Sequence, residues 1–172
     1  MKRSEINHLP EYFDRYINKC DDVNIIDAIQ TSIDELDNIP IEKWRALGNK
    51  TYAEGKWNIN DIIQHLIDVE RIFSFRALAI ARGEQQRLPG YSENEYAETA
   101  KAGDRNIDDL VSELRASHES IKWLYKSFTD DMLKMEGLSF KGKYSVGAIG
   151  FIFPGHQRWH FEVIDDKYLP LL

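Results

Sequence analysis

Apolar residues recur at helical spacing in four long segments of this 172-residue chain. These segments begin after Asn24, Asn58, Asn106 and Ser145, whose side chains are of the type that accepts hydrogen bonds from the first backbone amides of a helix. The second segment is the most regular and ends at Gly83, a residue type that is common just after a helix. No segment shows the alternation of apolar and polar residues that is typical of a strand. The pattern therefore predicts an all-α helical bundle, a fold that commonly holds metals in its core.

The connections between these segments differ in length. Residues 83–103 form a long connection, which in a compact domain indicates a crossover or a functional loop. Residues 92–102 within it are expected to be helical, because Ser92 begins a capping pattern. Loops are expected around Trp44 and over residues 137–143. Since no internal repeat or long flexible linker interrupts the chain, its length predicts one domain over residues 1–172.

Charge and hydropathy argue against several classes of protein. The formal net charge is −7 and no basic run offsets it, so no nucleic-acid partner is expected. No apolar run approaches the ~20 residues of a membrane span, so no membrane partner is expected either. The first residues lack the apolar core of a secretory signal, which predicts a cytoplasmic protein. The single cysteine, Cys20, lies among polar residues and is expected to be an unreactive thiol.

Two histidines lie in the middle of the apolar stripe of the last segment. His156 and His160 are four residues apart and share a helical face with five apolar side chains, those of Ile149, Ile152, Phe153, Val163 and Ile164. A buried polar group without a partner costs about 1–3 kcal/mol. Ordinary core hydrogen bonds would supply partners, and so would a divalent metal, for which neutral imidazole is the commonest protein ligand. His65 lies on the shoulder of another apolar stripe, where it can reach a neighbouring helix, and His118 is interpreted as structural or exposed.

Five stretches of sequence together carry a resemblance to a known family. They are Lys-Trp-Asn-Ile (56–59), His-Leu-Ile-Asp-Val-Glu-Arg (65–71), Arg-Ala-Leu-Ala-Ile-Ala-Arg-Gly (76–83), Leu-Pro-Gly-Tyr (88–91) and Gly-His-Gln-Arg-Trp-His (155–160). In their order and spacing they resemble the DinB-like, or YfiT-like, family of metal-binding four-helix bundles. The resemblance implies a four-helix bundle with a long crossover connection and short extra helices. It also implies a metal site made by one histidine of the second long helix and a His-x-x-x-His pair of the last, at positions that correspond to His65, His156 and His160.

Two residues depart from the family's pattern. The family often has a histidine directly before the final one, where this chain has Trp159. Trp159 points about 60° away from the direction of His156, so the change is expected to leave the triad intact. Pro154 cannot donate the helical hydrogen bond to Gly150, and the helix is therefore expected to kink or restart just before His156. Such a kink would either aim His156 toward the site or spoil its geometry.

Three neutral nitrogen ligands leave coordination positions for water or substrate, as in catalytic metal sites. The expected metal is zinc or nickel, and iron and copper are also compatible with imidazole ligands. Asp68, Arg71, Arg76 and Trp57 are candidates for residues that orient the ligands or bind substrate. The three charged residues are equally typical of ordinary pairs on a helix surface, and no general base is identified.

The resemblance implies two reaction types, hydrolysis and the transfer or isomerisation of groups with a low-molecular-weight thiol. The leading hypothesis is therefore a metal-dependent enzyme, a hydrolase or a thiol S-transferase, that acts on a small-molecule substrate. The alternative is a non-catalytic, stress-related binding module whose metal is structural or absent. Because members of this family are frequently dimeric, a homodimer is expected.

Overall fold

Helices account for most of the structure, a computed structural model that describes residues 1–140 and 142–172. The helices and strands, in chain order, are α1 (Asp14–Ile17), α2 (Ile25–Glu35), α3 (Ile41–Leu47), α4 (Ile59–Ala81), α5 (Glu93–Ala100), α6 (Ile107–Lys126), α7 (Asp130–Lys134), β1 (Glu136–Ser139), β2 (Gly142–Ser145) and α8 (Val146–Val163). A π-helical turn continues α8 over Ile164–Tyr168. Short 3₁₀ turns occupy Arg3–Glu5, Leu36–Asn38, Ala102–Asp104 and Leu169–Leu171. Across these two described ranges, no helix has both the length and the apolar character needed to cross a bilayer.

The four long helices α2, α4, α6 and α8 begin where the sequence predicts. The side chains of Asn24, Asn58, Asn106 and Ser145 accept hydrogen bonds from backbone amides in the first turns of their helices. At α4 the cap is reciprocal, because the Asp61 carboxylate accepts a hydrogen bond from the backbone amide of Asn58. Helix α4 packs against α6 and α8, and α2 packs against the same two helices. The predicted all-α four-helix bundle is thus confirmed.

The apolar core consists of two clusters between these helices. One cluster joins α1, α2 and the first half of α8 to the second half of α4, through side chains such as Ile17, Ile29, Phe73, Phe151 and Phe153. The other joins the first halves of α4 and α6 to the end of the chain, through side chains such as Ile63, Leu66, Leu110, Leu114 and Tyr168. Residues 146–157 of α8 are all buried, so α8 is the helix around which the bundle packs.

Two elements differ from the sequence-based expectation. Trp44 was expected in a loop but lies in α3, which begins directly after Pro40. Proline's fixed φ is compatible with the start of a helix, so Pro40 separates two helices instead of introducing a loop. Strands β1 and β2 form an antiparallel hairpin, with Glu136 opposite Ser145, across the region expected to be a loop. Strands of four residues are too short to show a clear alternation in the sequence, and Lys141 lies outside the described residues.

Helix α8 runs without a break through Pro154, so the expected restart before His156 is wrong. The reason is the burial of the surrounding residues, since packing on every side holds the helix although proline removes one backbone hydrogen bond. His156 and His160 consequently remain on one helical face.

Helix α1 packs very closely against α8. A Cβ atom added at Gly155 would lie 1.9 Å from the backbone oxygen of Tyr16, so the two backbones meet where only glycine fits. In the turn after α1, the Cys20 thiol donates a hydrogen bond to the backbone oxygen of Phe151 at 3.3 Å. Burial raises the pKa of Cys20 to about 12, so the thiol stays protonated at neutral pH. The side chain belongs to the apolar core, although its neighbours in the sequence are polar.

This contact predicts that Gly155→Ala destabilises the fold by about 1–3 kcal/mol or more, because the added methyl group overlaps the Tyr16 backbone. Urea unfolding measures the change in the free energy of unfolding. Gly147→Ala in the same helix is the control, since its methyl group meets mainly the flexible side chain of Met1. Equal effects of the two substitutions would show that α1 does not pack on α8 in this way.

Candidate metal centre

Three histidine side chains from two helices converge on one point. His65 comes from α4, and His156 and His160 come from successive turns of α8. The Nε2 atom of His156 lies 3.3 Å from Nε2 of His65 and 3.0 Å from Nε2 of His160. One ligand atom from each of the three side chains lies within 4.8 Å of the other two. The periodicity of two separate helices therefore produces a three-nitrogen cluster.

All three imidazoles of this cluster are neutral at pH 7. Burial lowers the pKa of His65 to about 3, with a smaller effect from the neighbouring His160. Burial also lowers the pKa of His160 to about 4 and holds that of His156 well below its usual range. Each ring thus keeps a nitrogen lone pair, which is the form that binds metals.

Hydrogen bonds within the cluster cannot satisfy its nitrogen atoms. A ring nitrogen has a single lone pair, so Nε2 of His156 cannot accept good hydrogen bonds from both neighbours at once. A cation removes this conflict. Two imidazole nitrogens that are each about 2.0–2.1 Å from a tetrahedral zinc ion are separated by about 3.3 Å. The two separations from Nε2 of His156, 3.0 and 3.3 Å, are close to this value, and all three ligand atoms lie within 4.8 Å of one another.

Aromatic side chains cover the outer faces of the histidine rings. The Tyr16 ring lies 4.6 Å from the His156 ring, and the Trp57 ring lies 4.8 Å from the His65 ring. Trp159 packs edge-on against Tyr16 at 5.7 Å and is not a member of the three-nitrogen cluster. Burial, together with a hydrogen bond with Tyr12, holds the pKa of Tyr16 far above its usual range, so its hydroxyl stays protonated at neutral pH.

The other candidate residues occupy different surroundings. Asp68 accepts a hydrogen bond from the Gln64 side chain at 3.0 Å and lies 3.8 Å from Arg71. Arg71 is exposed and forms an ion pair with Glu113. These contacts are ordinary helix-surface pairs. Arg76 is buried and donates a hydrogen bond to the backbone oxygen of Pro89 at 2.9 Å, so it faces the long connection between α4 and α6.

A buried polar network anchors the residue next to His156. The Gln157 amide donates hydrogen bonds to the backbone oxygen of Ser32 at 2.9 Å and to the Glu35 carboxylate at 3.0 Å. Because the amide nitrogen donates, the Gln157 oxygen accepts, and its donor is Nε2 of His118 at 2.7 Å. His118 is fully buried, so its structural interpretation is correct and its exposed interpretation is wrong. The network fixes the rotation of α8 about its axis.

Glu70 completes this network from α4. Its carboxyl oxygen lies 3.0 Å from Nδ1 of His118. Burial raises the pKa of Glu70 to about 8 and lowers that of His118 to about 4. At neutral pH Glu70 therefore keeps its proton, and its carboxyl group lies beside Nδ1 of His118, which forms no hydrogen bond within the described residues, while His118 carries its own proton on Nε2. Both side chains are neutral, which avoids the cost of a buried charge.

The raised pKa of Glu70 predicts that stability falls between pH 6.5 and 8. The folded state keeps a proton that the unfolded chain, with a glutamate pKa of 4.5, has already released. The lowered pKa of His118 acts in the opposite direction, but only below its unfolded value of 6.5. Urea unfolding should therefore show a loss of about 1–2 kcal/mol over this window, at about 1.36 kcal/mol per pKa unit.

Glu70→Gln should abolish this pH dependence, because an amide of the same shape occupies the site without titrating. Glu119→Gln is the matched control, since Glu119 is partly exposed on α6 and pairs with Lys122. A slope that persists in Glu70→Gln, or disappears in Glu119→Gln, would contradict the assignment.

Comparisons with known proteins agree with this architecture. The family model of the DinB superfamily matches residues 28–164. YfiT from Bacillus subtilis, described as a probable metal-dependent hydrolase with an unusual four-helix bundle topology, has a TM-score of 0.68 and 13% identity, over 96% of this chain and 91% of that one. A mycothiol-dependent maleylpyruvate isomerase has a TM-score of 0.62 and 13% identity, over 98% of this chain but 64% of that one. The present chain thus spans less than two thirds of the isomerase. No curated protein matches the sequence significantly.

Proposed function

The chain belongs to the DinB superfamily, and on that premise we propose that it is a metal-dependent enzyme in which His65, His156 and His160 hold a divalent cation. The observation that carries the proposal is the meeting of three neutral Nε2 atoms from α4 and α8. Zinc and nickel are the preferred ions, because three imidazoles match their ligand preferences. The proposed reactions are hydrolysis and the transfer of a low-molecular-weight thiol to a small electrophile.

A divalent ion with three protein ligands supplies Lewis acidity, which activates water, polarises a carbonyl or stabilises a thiolate. The residues of the chain would orient the reaction around it. Tyr16 and Trp57 pack against the rings of His156 and His65, limit solvent at these ligands and hold the rings in place.

Two similarities support these reaction types. YfiT is described as a probable metal-dependent hydrolase, and the second relative is a mycothiol-dependent isomerase. Both reactions begin with a nucleophile, water or thiolate, that attacks an electrophilic atom. The same three-histidine centre would serve either nucleophile, so the substrate determines the reaction.

The proposal predicts about one divalent ion per chain in protein purified without a metal-affinity tag. His65→Ala and His160→Ala should each weaken metal binding by more than about 100-fold, because even residues that only orient a ligand contribute about 10–100-fold. Elemental analysis of the variants gives the stoichiometry directly. His8→Ala is the control, since His8 is exposed and lies outside the cluster. Full metal content in both cluster variants would rule out this site.

The thiol-transfer reaction predicts metal-dependent turnover of monochlorobimane with cysteine. The sulfur atom forms the new carbon–sulfur bond as chloride leaves, and the product is fluorescent. The rate should fall to background after chelation and in His160→Ala. Hydrolysis of an activated ester without thiol, with the same dependence on the histidines, would instead identify a hydrolase. Metal binding without turnover over a broad substrate panel would favour the binding-module alternative.

A further inference from the structure

Arg76 is a buried cation without a carboxylate partner. The residue is 6% exposed, and its guanidinium donates a hydrogen bond to the backbone oxygen of Pro89 at 2.9 Å. The guanidinium carbon also lies 4.5 Å from the centre of the Phe73 ring and 6.0 Å from that of Tyr91. Within the described part of the chain, no carboxylate lies within ion-pair distance of Arg76. A buried charge normally has an opposite charge beside it.

Two hydroxyl groups near Arg76 are also buried without partners. The Tyr91 hydroxyl and the Ser139 hydroxyl form no hydrogen bond with any residue that the structure describes. Together with Arg76 and Tyr144 they line one small cavity of about 30 Å³. Burial without a hydrogen bond is unfavourable for each hydroxyl group, and because both residues and Arg76 line the same cavity, a ligand is missing there.

We propose that Arg76 and the hydroxyl groups of Tyr91 and Ser139 bind the carboxylate group of a small molecule. All three side chains donate hydrogen bonds, and a guanidinium matches the two oxygens of a carboxylate. The small cavity has room for a carboxylate group, because one water molecule needs about 10–15 Å³ and a carboxylate has two oxygens. Tetrahedral phosphate is larger than a carboxylate group.

A second cavity gives room for the rest of the ligand. It has a volume of about 320 Å³, shares Arg76, Gly90 and Tyr91 with the small cavity, and is lined otherwise mainly by apolar and aromatic side chains, including Ile72 and Phe75. Ligand sites commonly combine an apolar wall with a few polar groups that fix orientation. The ligand is therefore a carboxylate attached to an apolar body.

Glu93 adds a specific electrostatic expectation. It lines the small cavity at the start of α5, and burial, with a smaller effect from the Glu93 charge, raises the pKa of Tyr91 far above the usual range. A negative charge at this position opposes the entry of an anion. Glu93→Gln should therefore strengthen carboxylate binding.

The carboxylate site lies along one helical face from the candidate metal centre. Arg76 follows His65 by 11 residues on α4, which places the two about 20° apart around the axis and about 16 Å apart along it. An aromatic wall also links them, since Phe13 contacts Tyr16 at 6.0 Å and Tyr144 at 5.5 Å. The carboxylate site and the candidate metal centre therefore lie on the same face of α4, about three helical turns apart.

Binding of hexanoate, a carboxylate with an apolar chain, and of its neutral analogue hexanamide, at constant ionic strength, tests the site. The protein is the full chain after metal removal, so that a carboxylate cannot bind to a metal ion. Hexanoate should raise the thermal midpoint saturably, and hexanamide should not. Arg76→Gln should weaken hexanoate binding by at least about tenfold, as expected for a charged hydrogen-bond pair. The control Arg82→Gln removes the same charge from an exposed position at the end of α4 and should bind hexanoate like the wild type.

Tyr91→Phe and Ser139→Ala keep the test decisive if Arg76→Gln does not fold. Each removes a hydroxyl group without a described partner, so stability without ligand should stay equal or rise. Hexanoate affinity should nevertheless fall by about tenfold in each variant. Unchanged affinity in both variants, equal responses to hexanoate and hexanamide, or tighter binding of inorganic phosphate would overturn the carboxylate assignment. Because metal-free protein is used, this test does not depend on the metal centre. If the proposed function is wrong, elemental analysis shows it separately, by the absence of bound metal.

Discussion

The packing of α4 against α8 is the contact on which the candidate metal centre depends. It brings His65 to the pair formed by His156 and His160, and no single helix provides three ligands that point at one place. The close approach of α1 to Gly155 supports the same helix from the other side and holds the Tyr16 ring against His156. The site is therefore a product of tertiary packing imposed on regular helical spacing.

The side chains of α8 around the histidines point toward two different helices. Gln157 and Arg158 point toward α2, where Gln157 binds the backbone of Ser32 and both side chains bind Glu35. His156 and His160 point toward α4. A rotation of α8 would break the hydrogen bonds on one side while it moved the nitrogens on the other. Since broken buried hydrogen bonds cost about 1–3 kcal/mol each, the polar network holds the histidines in register.

Local rules account for the parts of the structure that the sequence predicted. Capping residues and apolar spacing are properties of one helix, so α2, α4, α6 and α8 and the shared face of His156 and His160 could be predicted from the residues alone. His65 could be chosen as the third metal ligand only from the family resemblance, because helical spacing does not say which helices pack against each other. Tyr16 and the Glu70–His118 pair were missed for the same reason, since their contacts join different helices. The β1–β2 hairpin was missed because it is too short to show a period.

Opposite kinds of unsatisfied chemistry occur along one face of α4. The histidine cluster presents lone pairs without enough donors, which favours a cation, whereas the Arg76 cavity presents donors without acceptors, which favours an anion. Each arrangement is costly in a protein that binds nothing, because burial removes the water that would otherwise satisfy it. A bundle selected for stability alone would replace such groups with apolar side chains. Both groups lie on the same face of α4, so one helix presents a candidate cation site near its start and a candidate anion site near its end.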